Sequence, residues 1–167
     1  ATIDDLDPDA IRMAREKYTE RHERRAKEIE SWDDATFLNK AKITRAGKIT
    51  NAAIILLGRE ESEHFLSPAV CVIRWKLIAK EEKNKDFHNF HVPMIKSVEE
   101  ITTGYIRNNN YVYTVSGNIF PENMMRYDVF TLREPICNAI GHQDYGMGAR
   151  IELLEYEDEK LVIQNYG

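Results

Sequence analysis

A glutamate and an asparagine one helical turn apart are the residues of this 167-residue chain best suited to chemistry. Glu134 and Asn138 are four positions apart, so on a helix they face the same way. An amide oxygen is a neutral ligand for a hard cation, and a carboxylate one turn earlier can orient or deprotonate an attacking water. The pair therefore predicts half of a site for Mg²⁺ and ATP.

The same residues also have a structural interpretation, which stays open at this point. Thr131 and Glu134 have the spacing of a capping box, in which Glu134 would bond the backbone amide of Thr131 and do no catalysis. Pro135 bears on both interpretations, because in a helix begun at Thr131 its ring would clash with the Thr131 carbonyl. We therefore expect the helix to begin late, near Glu134.

Histidines elsewhere in the chain have structural interpretations that compete with ligand binding. His142 suits the negative C-terminal end of a helix, and Asp144 suits a capped turn after it, so both roles compete with contact to a ligand. His88 and His91 lie three apart beside two phenylalanines, with no further metal ligand nearby in the sequence. We expect those two histidines to be packing or surface residues.

Composition and charge exclude several classes of protein. Cys71 and Cys137 lie in apolar segments without a Cys or His neighbour at ligand spacing, which favours a reducing, cytoplasmic location over a disulfide or zinc site. No apolar run approaches the roughly 20 residues needed to cross a bilayer, so we expect no membrane contact. The net charge of −5 disfavours nonspecific binding to nucleic acid, which needs many Lys and Arg contacts to phosphates.

Capping signals predict a helical first part. Asp7 and Pro8 begin a helix that we expect to end at about Tyr18, followed by a charged helix extension or linker up to Lys27. Ser31 is the expected cap of a second helix. Thr50 is the expected cap of a third, at residues 51–57, which Gly58 ends and which should be buried because it lacks a polar face.

The rest of the chain alternates between strand and helix patterns. In order, we predict a strand at 69–78, a charged loop at 80–86, an amphipathic helix from Pro93 to Tyr105, a short strand at 111–115, an irregular stretch at 121–125, the Glu134 helix, and a hairpin of 149–156 with 161–164. The predicted fold class is α+β. A mostly helical part, residues 1–59, precedes a mixed sheet of four or five strands, residues 60–167, covered on one face by helices.

The Glu134 helix also belongs to a longer sequence pattern. Residues 132–145, the hairpin and the segment 161–167 resemble a helix Arg-Glu-Ala-Leu-x-Asn-Ala-x-x-His-Arg-Asp-Tyr followed by a hairpin ending in Asn-Pro-Gly. Upstream, Phe37-Leu38 and residues 47–58 resemble Phe-Leu and Gly-Lys-Leu-Thr-Asn-Ala-Ala-x-Leu-Leu-Phe-Gly. Both motifs, in this order, resemble those of bacterial and archaeal transcriptional regulators, whose members have often been described as RecG-like, helicase-related or divergent AAA-type proteins.

That resemblance implies a role for the whole chain. It implies a fragment that follows an AlbA-like, Schlafen-related DNA-binding domain and consists of a helical connector and a truncated domain similar to the GHKL ATPases. In that comparison Glu134 takes the general-base position and Asn138 the magnesium position. The other nucleotide-binding positions are His142, Asp144, Asn165 and Gly167. DNA would be bound by a domain outside this fragment, and a homo-oligomer is a further expected partner.

Departures from the family pattern argue against nucleotide binding and hydrolysis by the fragment alone. Asn165 stands where a nucleotide-binding Asp is expected, Tyr166 replaces Pro, Gln143 replaces Arg, and Pro135 replaces Ala. Glycine-rich loops bring backbone amides against the phosphates and supply most of the affinity for a nucleotide. We find no such loop at the expected position in the sequence. We therefore expect a regulatory fragment that alone hydrolyses nothing and holds no ATP or Mg²⁺, with both as candidate ligands of the full-length protein. The alternatives are part of an ATP-dependent, helicase-related ATPase and a structural dimerisation module.

Overall fold

The computed structural model describes residues 1–79, 83–106, 110–113, 119, 122–157 and 160–167, with only the backbone described for 110–113 and 122–125. The described α-helices are α1 (Pro8–Arg21), α2 (Ala26–Glu30), α3 (Asp34–Lys40), α4 (Asn51–Leu57), α5 (Met94–Glu100) and α6 (Val129–His142). The described strands are β1 (Thr44–Arg45), β2 (Lys48–Ile49), β3 (Ile73–Ile78), β4 (Asn84–Phe90), β5 (Asn110–Tyr113), β6 (Glu122–Met125), β7 (Ile151–Tyr156) and β8 (Lys160–Gln164). This is an α+β fold, as the sequence predicts.

The chain divides into two compact units. The first, the connector unit, comprises Ala1–Ile73, Phe90–Ser97 and Tyr145–Arg150. The second, the sheet unit, comprises Arg74–Asn89, Val98–Asp144 and Ile151–Gly167. Among the described residues, no helix is long and apolar enough to span a membrane.

The connector unit is built from capped helices. The Asp7 carboxylate accepts a hydrogen bond from the Ala10 amide at 3.0 Å and so caps α1, which extends to Arg21, one turn beyond the predicted end. Thr50 caps α4 through the Ala53 amide at 3.1 Å, and Gly58 follows its end, as predicted. The prediction that α4 is wholly buried is wrong, because Leu56 is 38% exposed.

The cap of α3 also differs from its prediction. Asp33, not Ser31, accepts the capping hydrogen bond, from the Thr36 amide at 2.7 Å. Ser31 instead ends α2, where its hydroxyl donates to the Glu28 carbonyl at 2.6 Å. Asp and Ser are comparable helix caps, so the sequence alone does not decide between two candidates that lie so close together.

Four strands form the main sheet in the order β4-β3-β7-β8. β7 and β8 are antiparallel, and Leu153 lies opposite Ile163. The amide of Glu157, just after β7, donates to the carbonyl of Ile78, the last residue of β3, so the C-terminal ends of these two strands meet. The predicted hairpin and the predicted end of β3 are confirmed, whereas β3 begins only at Ile73.

Helices cover one face of this sheet. Alternate side chains of β3 and β7, namely Trp75, Leu77, Ile151, Leu153 and Glu155, are buried, while the intervening ones are partly exposed. Within the sheet unit, the helix that continues α5 as a π-helix, Ile101–Tyr105, places the Tyr105 ring 5.4 Å from the Trp75 ring. The helix predicted after Pro93 is thus confirmed up to Tyr105.

Two stretches predicted as loop or irregular are strands. Residues 84–86, assigned to a charged loop, belong to β4, and residues 122–125 pair as β6 with β5 in a separate antiparallel sheet. β4 lies at the edge of its sheet, where charged side chains are tolerated because one side faces water. Its composition therefore resembles that of a loop. Residues 80–82, 114, 115 and 121 of the predicted elements lie outside the described residues.

Candidate functional site on helix α6

α6 begins at Val129, not near Glu134 as predicted, because Asp128 caps it. An Asp128 carboxylate oxygen accepts a hydrogen bond from the Thr131 amide at 3.0 Å. The predicted capping box at Thr131 is therefore wrong, since Thr131 lies in the first turn and its own amide is the capped group. Pro135 lies inside the helix at an exposed position. The helix continues past it, and its ring lies outside the buried apolar face.

Both residues of the predicted half-site lie on the exposed face of α6. Glu134 and Asn138 are exposed, and their four-residue separation stacks them one turn apart. The buried face of the helix is formed by Leu132, Ile136, Ala139 and Ile140. Neither polar group is covered by packing within the chain, so both are accessible to a ligand.

The chain that follows β8 lies against the C-terminal end of α6. The Tyr166 amide donates to the side-chain oxygen of Gln143 at 2.9 Å, and the Tyr166 carbonyl accepts a hydrogen bond from the Asp144 amide. A side chain added at Gly167 would collide with the backbone carbonyl of His142, so only glycine fits there. The structure thus brings four predicted positions to one place: His142, Asp144, Asn165 and Gly167.

The charge at this end of α6 selects what can bind there. The carbonyl groups of the last turn carry the negative end of the helix dipole, which favours cations and hydrogen-bond donors and disfavours phosphates. Exposed His142 is the basic residue of this last turn. The phosphates of a nucleotide would therefore have to lie nearer to Asn138 than to Gly167.

An ion pair holds α6 in place within the sheet unit. An Arg133 guanidinium nitrogen lies 2.6 Å from a Glu99 carboxylate oxygen, and Glu99 belongs to α5. Arg133 precedes Glu134, so this contact fixes the rotation of α6 about its axis. No local sequence pattern predicts this positioning pair, because the two residues are far apart in the chain. The role of Gln143 has a single signal in the sequence, its replacement of the Arg of the family pattern.

The available donors suit magnesium better than a metal held by protein alone. Among the described residues, no group of three or more His, Cys, Asp or Glu side chains is close enough to hold a metal ion. Mg²⁺ usually keeps several waters and takes one or two protein oxygens together with phosphate oxygens. The Glu134 carboxylate and the Asn138 amide fit that limited role.

The remaining candidate histidines, His88 and His91, contact residues outside α6. The His88 ring contacts the Tyr105 ring, with centroids 4.8 Å apart, on the helix-covered face of the sheet. His91, in the connector unit, places Nδ1 3.1 Å from a Glu63 carboxylate oxygen. These positions agree with the packing role that the sequence analysis favours.

The two cysteines lie in contrasting environments. Burial, assisted by the nearby Glu63 carboxylate, raises the pKa of the Cys71 thiol to about 12, although a hydrogen bond with Tyr145 acts in the opposite direction. Cys71 is therefore a neutral thiol at physiological pH. Cys137 is exposed on α6, next to Asn138 in the chain. It offers a chemical probe of the candidate site.

Comparisons with known proteins identify similarities in sequence and in fold. The family model of a domain of unknown function, DUF8451, matches residues 1–73. No curated protein matches the sequence. The chain superposes on the crystal structure of the DIP2311 protein from Corynebacterium diphtheriae with a TM-score of 0.70 and 17% sequence identity. That superposition covers 100% of this chain and 32% of the other.

These similarities bear on the fold. At 17% identity the superposition shows a shared α+β architecture, and the chain spans about a third of the length of the protein that it matches. The sequence match to DUF8451 ends at residue 73, before every candidate site residue.

Proposed function

We propose that this chain is a regulatory module of a DNA-binding transcriptional regulator, and that the exposed face of α6 is its nucleotide-sensing surface. The observation that carries the proposal is the pairing of Glu134 and Asn138 on that face, one turn apart and uncovered. A carboxylate and an amide in this arrangement offer the oxygen ligands that a magnesium–nucleotide complex uses. The resemblance of this helix to that of the GHKL-like regulators supports the same assignment.

Each residue of the site has a distinct role in this proposal. Asn138 would hold Mg²⁺ through its amide oxygen, and Glu134 would accept a hydrogen bond from a nearby water. Magnesium, when bound, neutralises phosphate charge. Asn165 and Gly167 lie at the C-terminal end of α6, where the helix carbonyls favour hydrogen-bond donors of the ligand rather than its phosphates.

Binding without turnover is the proposed mode of action. We find no glycine-rich phosphate-binding loop in the sequence, and the backbone amides of such a loop supply much of the affinity for phosphate. The site therefore senses a nucleotide weakly in this chain and more tightly in a longer protein that contains it. With a net charge of −5, the chain leaves DNA contact to another domain of the regulator.

Calorimetric titration of Mg-ATP tests this function in the longer protein containing this chain. We expect saturable binding that Asn138→Ala weakens at least tenfold, about 1.4 kcal/mol, without phosphate release above background. Asn51→Ala removes an exposed amide from the first turn of α4 and serves as the matched control, which should bind like the parent. Sustained phosphate release would instead identify an ATPase, and equal binding by both variants would remove α6 from the site.

A further inference from the structure

β4 is an open edge of the main sheet. Among the described strands, β3 is the only neighbour of β4, which is the first strand in the order β4-β3-β7-β8. β4 is seven residues long, residues 84–88 are exposed, and the Phe87 side chain is 63% exposed. A regular edge strand of this length presents a row of backbone groups that a further strand can pair with.

The backbone of Phe87 is directed toward that open edge. Its amide donates to the carboxylate of the preceding residue, Asp86, at 2.9 Å, and we infer from this side-chain bond that β3 does not use the amide. Because amides alternate in direction along a strand, the amides of residues 85 and 89 point to the same side. The amide that an incoming strand would use is thus held by a side chain that it can displace.

Alternation also fixes which side chains share a face. His88 contacts Tyr105, so positions 86 and 88 face the helical layer of the sheet unit. Phe87 therefore lies on the opposite face of the sheet. A strand pairing along this edge would bring one of its side chains directly beside the Phe87 ring.

We propose that β4 pairs antiparallel with β4 of a second copy of this chain, with Phe87 on the two-fold axis. In this register the two Phe87 residues form the hydrogen-bonded pair and their rings pack side by side. Asp86 of each copy then lies opposite His88 of the other, so a carboxylate meets an imidazole twice. This self-complementarity is what selects a second copy over an unrelated strand.

The usual protection of an edge strand is weakened here. Lysine on an edge strand discourages pairing because its charge would be carried into the interface. The Lys85 ammonium group instead lies 2.7 Å from a Glu157 carboxylate oxygen of the same chain. Its charge is compensated, and in the proposed register it lies opposite the neutral Asn89.

Sedimentation equilibrium of the 167-residue chain tests this pairing. We expect the mass to rise with concentration from 19.5 kDa toward twice that value. Phe87→Pro should abolish the rise, because it removes the outward amide without removing a bond to β3. Phe130→Asp adds a charge at another exposed phenylalanine, in the first turn of α6, and should dimerise like the parent. A monomeric parent, or a Phe87→Pro variant that still dimerises, would overturn the proposal.

A charge exchange tests the register independently. His88→Asp places two carboxylates opposite each other in the pair, and Asp86→His replaces the carboxylate with a second imidazole, so each variant alone should associate more weakly than the parent. Mixed together, the two variants restore both carboxylate–imidazole pairs and should form a heterodimer. Circular dichroism verifies that each variant is folded. Folded variants that fail to associate when mixed would exclude this register.

Discussion

The side-chain oxygen of Gln143 accepts a hydrogen bond from the backbone amide of Tyr166 at 2.9 Å, so the residue after α6 fixes the chain that leaves β8. Gln143 is only 7% exposed. Tyr166 is exposed, so removing this acceptor costs the hydrogen bond itself and leaves the Tyr166 amide to pair with water.

Gln143→Ala should therefore loosen the segment that carries Asn165 and Gly167. We expect a loss of about 1 kcal/mol in the free energy of unfolding and faster hydrogen exchange of the Tyr166 amide. Gln143→Glu keeps an acceptor oxygen and should exchange more slowly than the alanine variant. Unchanged exchange in Gln143→Ala would show that this bond does not hold the segment.

The buried Trp75 indole donates to a carboxylate oxygen of Glu155 at 2.8 Å in the core of the sheet unit. Trp75→Phe removes this donor and leaves a small void, so it should cost about 2–4 kcal/mol in urea unfolding. The double variant Trp75→Phe with Glu155→Leu should recover part of that loss, because both polar partners are gone. Additive losses would contradict a direct coupling between the two side chains.

Asp7 links stability to pH. Burial alone would raise the pKa of this carboxyl, but the hydrogen bond from Lys96, at 2.7 Å, and the Ala10 amide outweigh it, and the pKa is lowered. A carboxyl with a lowered folded-state pKa stabilises the fold above its unfolded value of about 3.9, and this stabilisation is lost as the pH falls through the folded-state pKa.

Asp7→Asn should therefore unfold more easily at pH 7, by about 1 kcal/mol, and show a shallower loss of stability below pH about 4. Glu20→Gln, an exposed carboxylate on the same helix, is the control and should retain the acid dependence of the parent. Thermal unfolding across this pH range measures both effects. An acid dependence in Asp7→Asn as steep as in the parent would exclude Asp7 as its source.

The cysteines predict a simple labelling pattern. Cys137 is exposed and should react rapidly with a maleimide at pH 8. Cys71 should react only on unfolding, because it is buried and its pKa of about 12 keeps the thiol protonated. Saturating Mg-ATP should slow the labelling of Cys137, and Cys137→Ser should abolish the rapid phase. Mass spectrometry of the labelled peptides assigns each site, and rapid labelling of Cys71 would contradict the assigned burial.

Local signals in the sequence predict those elements whose caps and patterns are unambiguous. Thr50 and Gly58 delimit α4, and the alternation of residues 149–164 predicts the final hairpin, because each rests on contacts between near neighbours. Ser31 and Thr131 were wrongly predicted as caps because an aspartate nearby makes the bond instead. β4 escaped prediction because an edge strand needs little apolar character.

In the candidate site, too, local features are predictable from the sequence and long-range contacts are not. The common face of Glu134 and Asn138 is a consequence of helical periodicity, so the sequence predicts it. The Arg133–Glu99 ion pair and the Gln143–Tyr166 hydrogen bond join residues distant in the chain. No local pattern encodes such contacts, and they depend on how α6 packs in the sheet unit.

The central claim is that a magnesium–nucleotide complex binds the exposed face of α6, and paramagnetic broadening of NMR signals tests it most directly. Mn²⁺ replaces Mg²⁺ in a titration with ATP, which reports even weak binding through signals close to the metal. We predict selective broadening of residues 134–142 and 165–167, lost in Asn138→Ala and retained in Asn51→Ala. Broadening centred elsewhere, or unchanged by Asn138→Ala, would contradict the account.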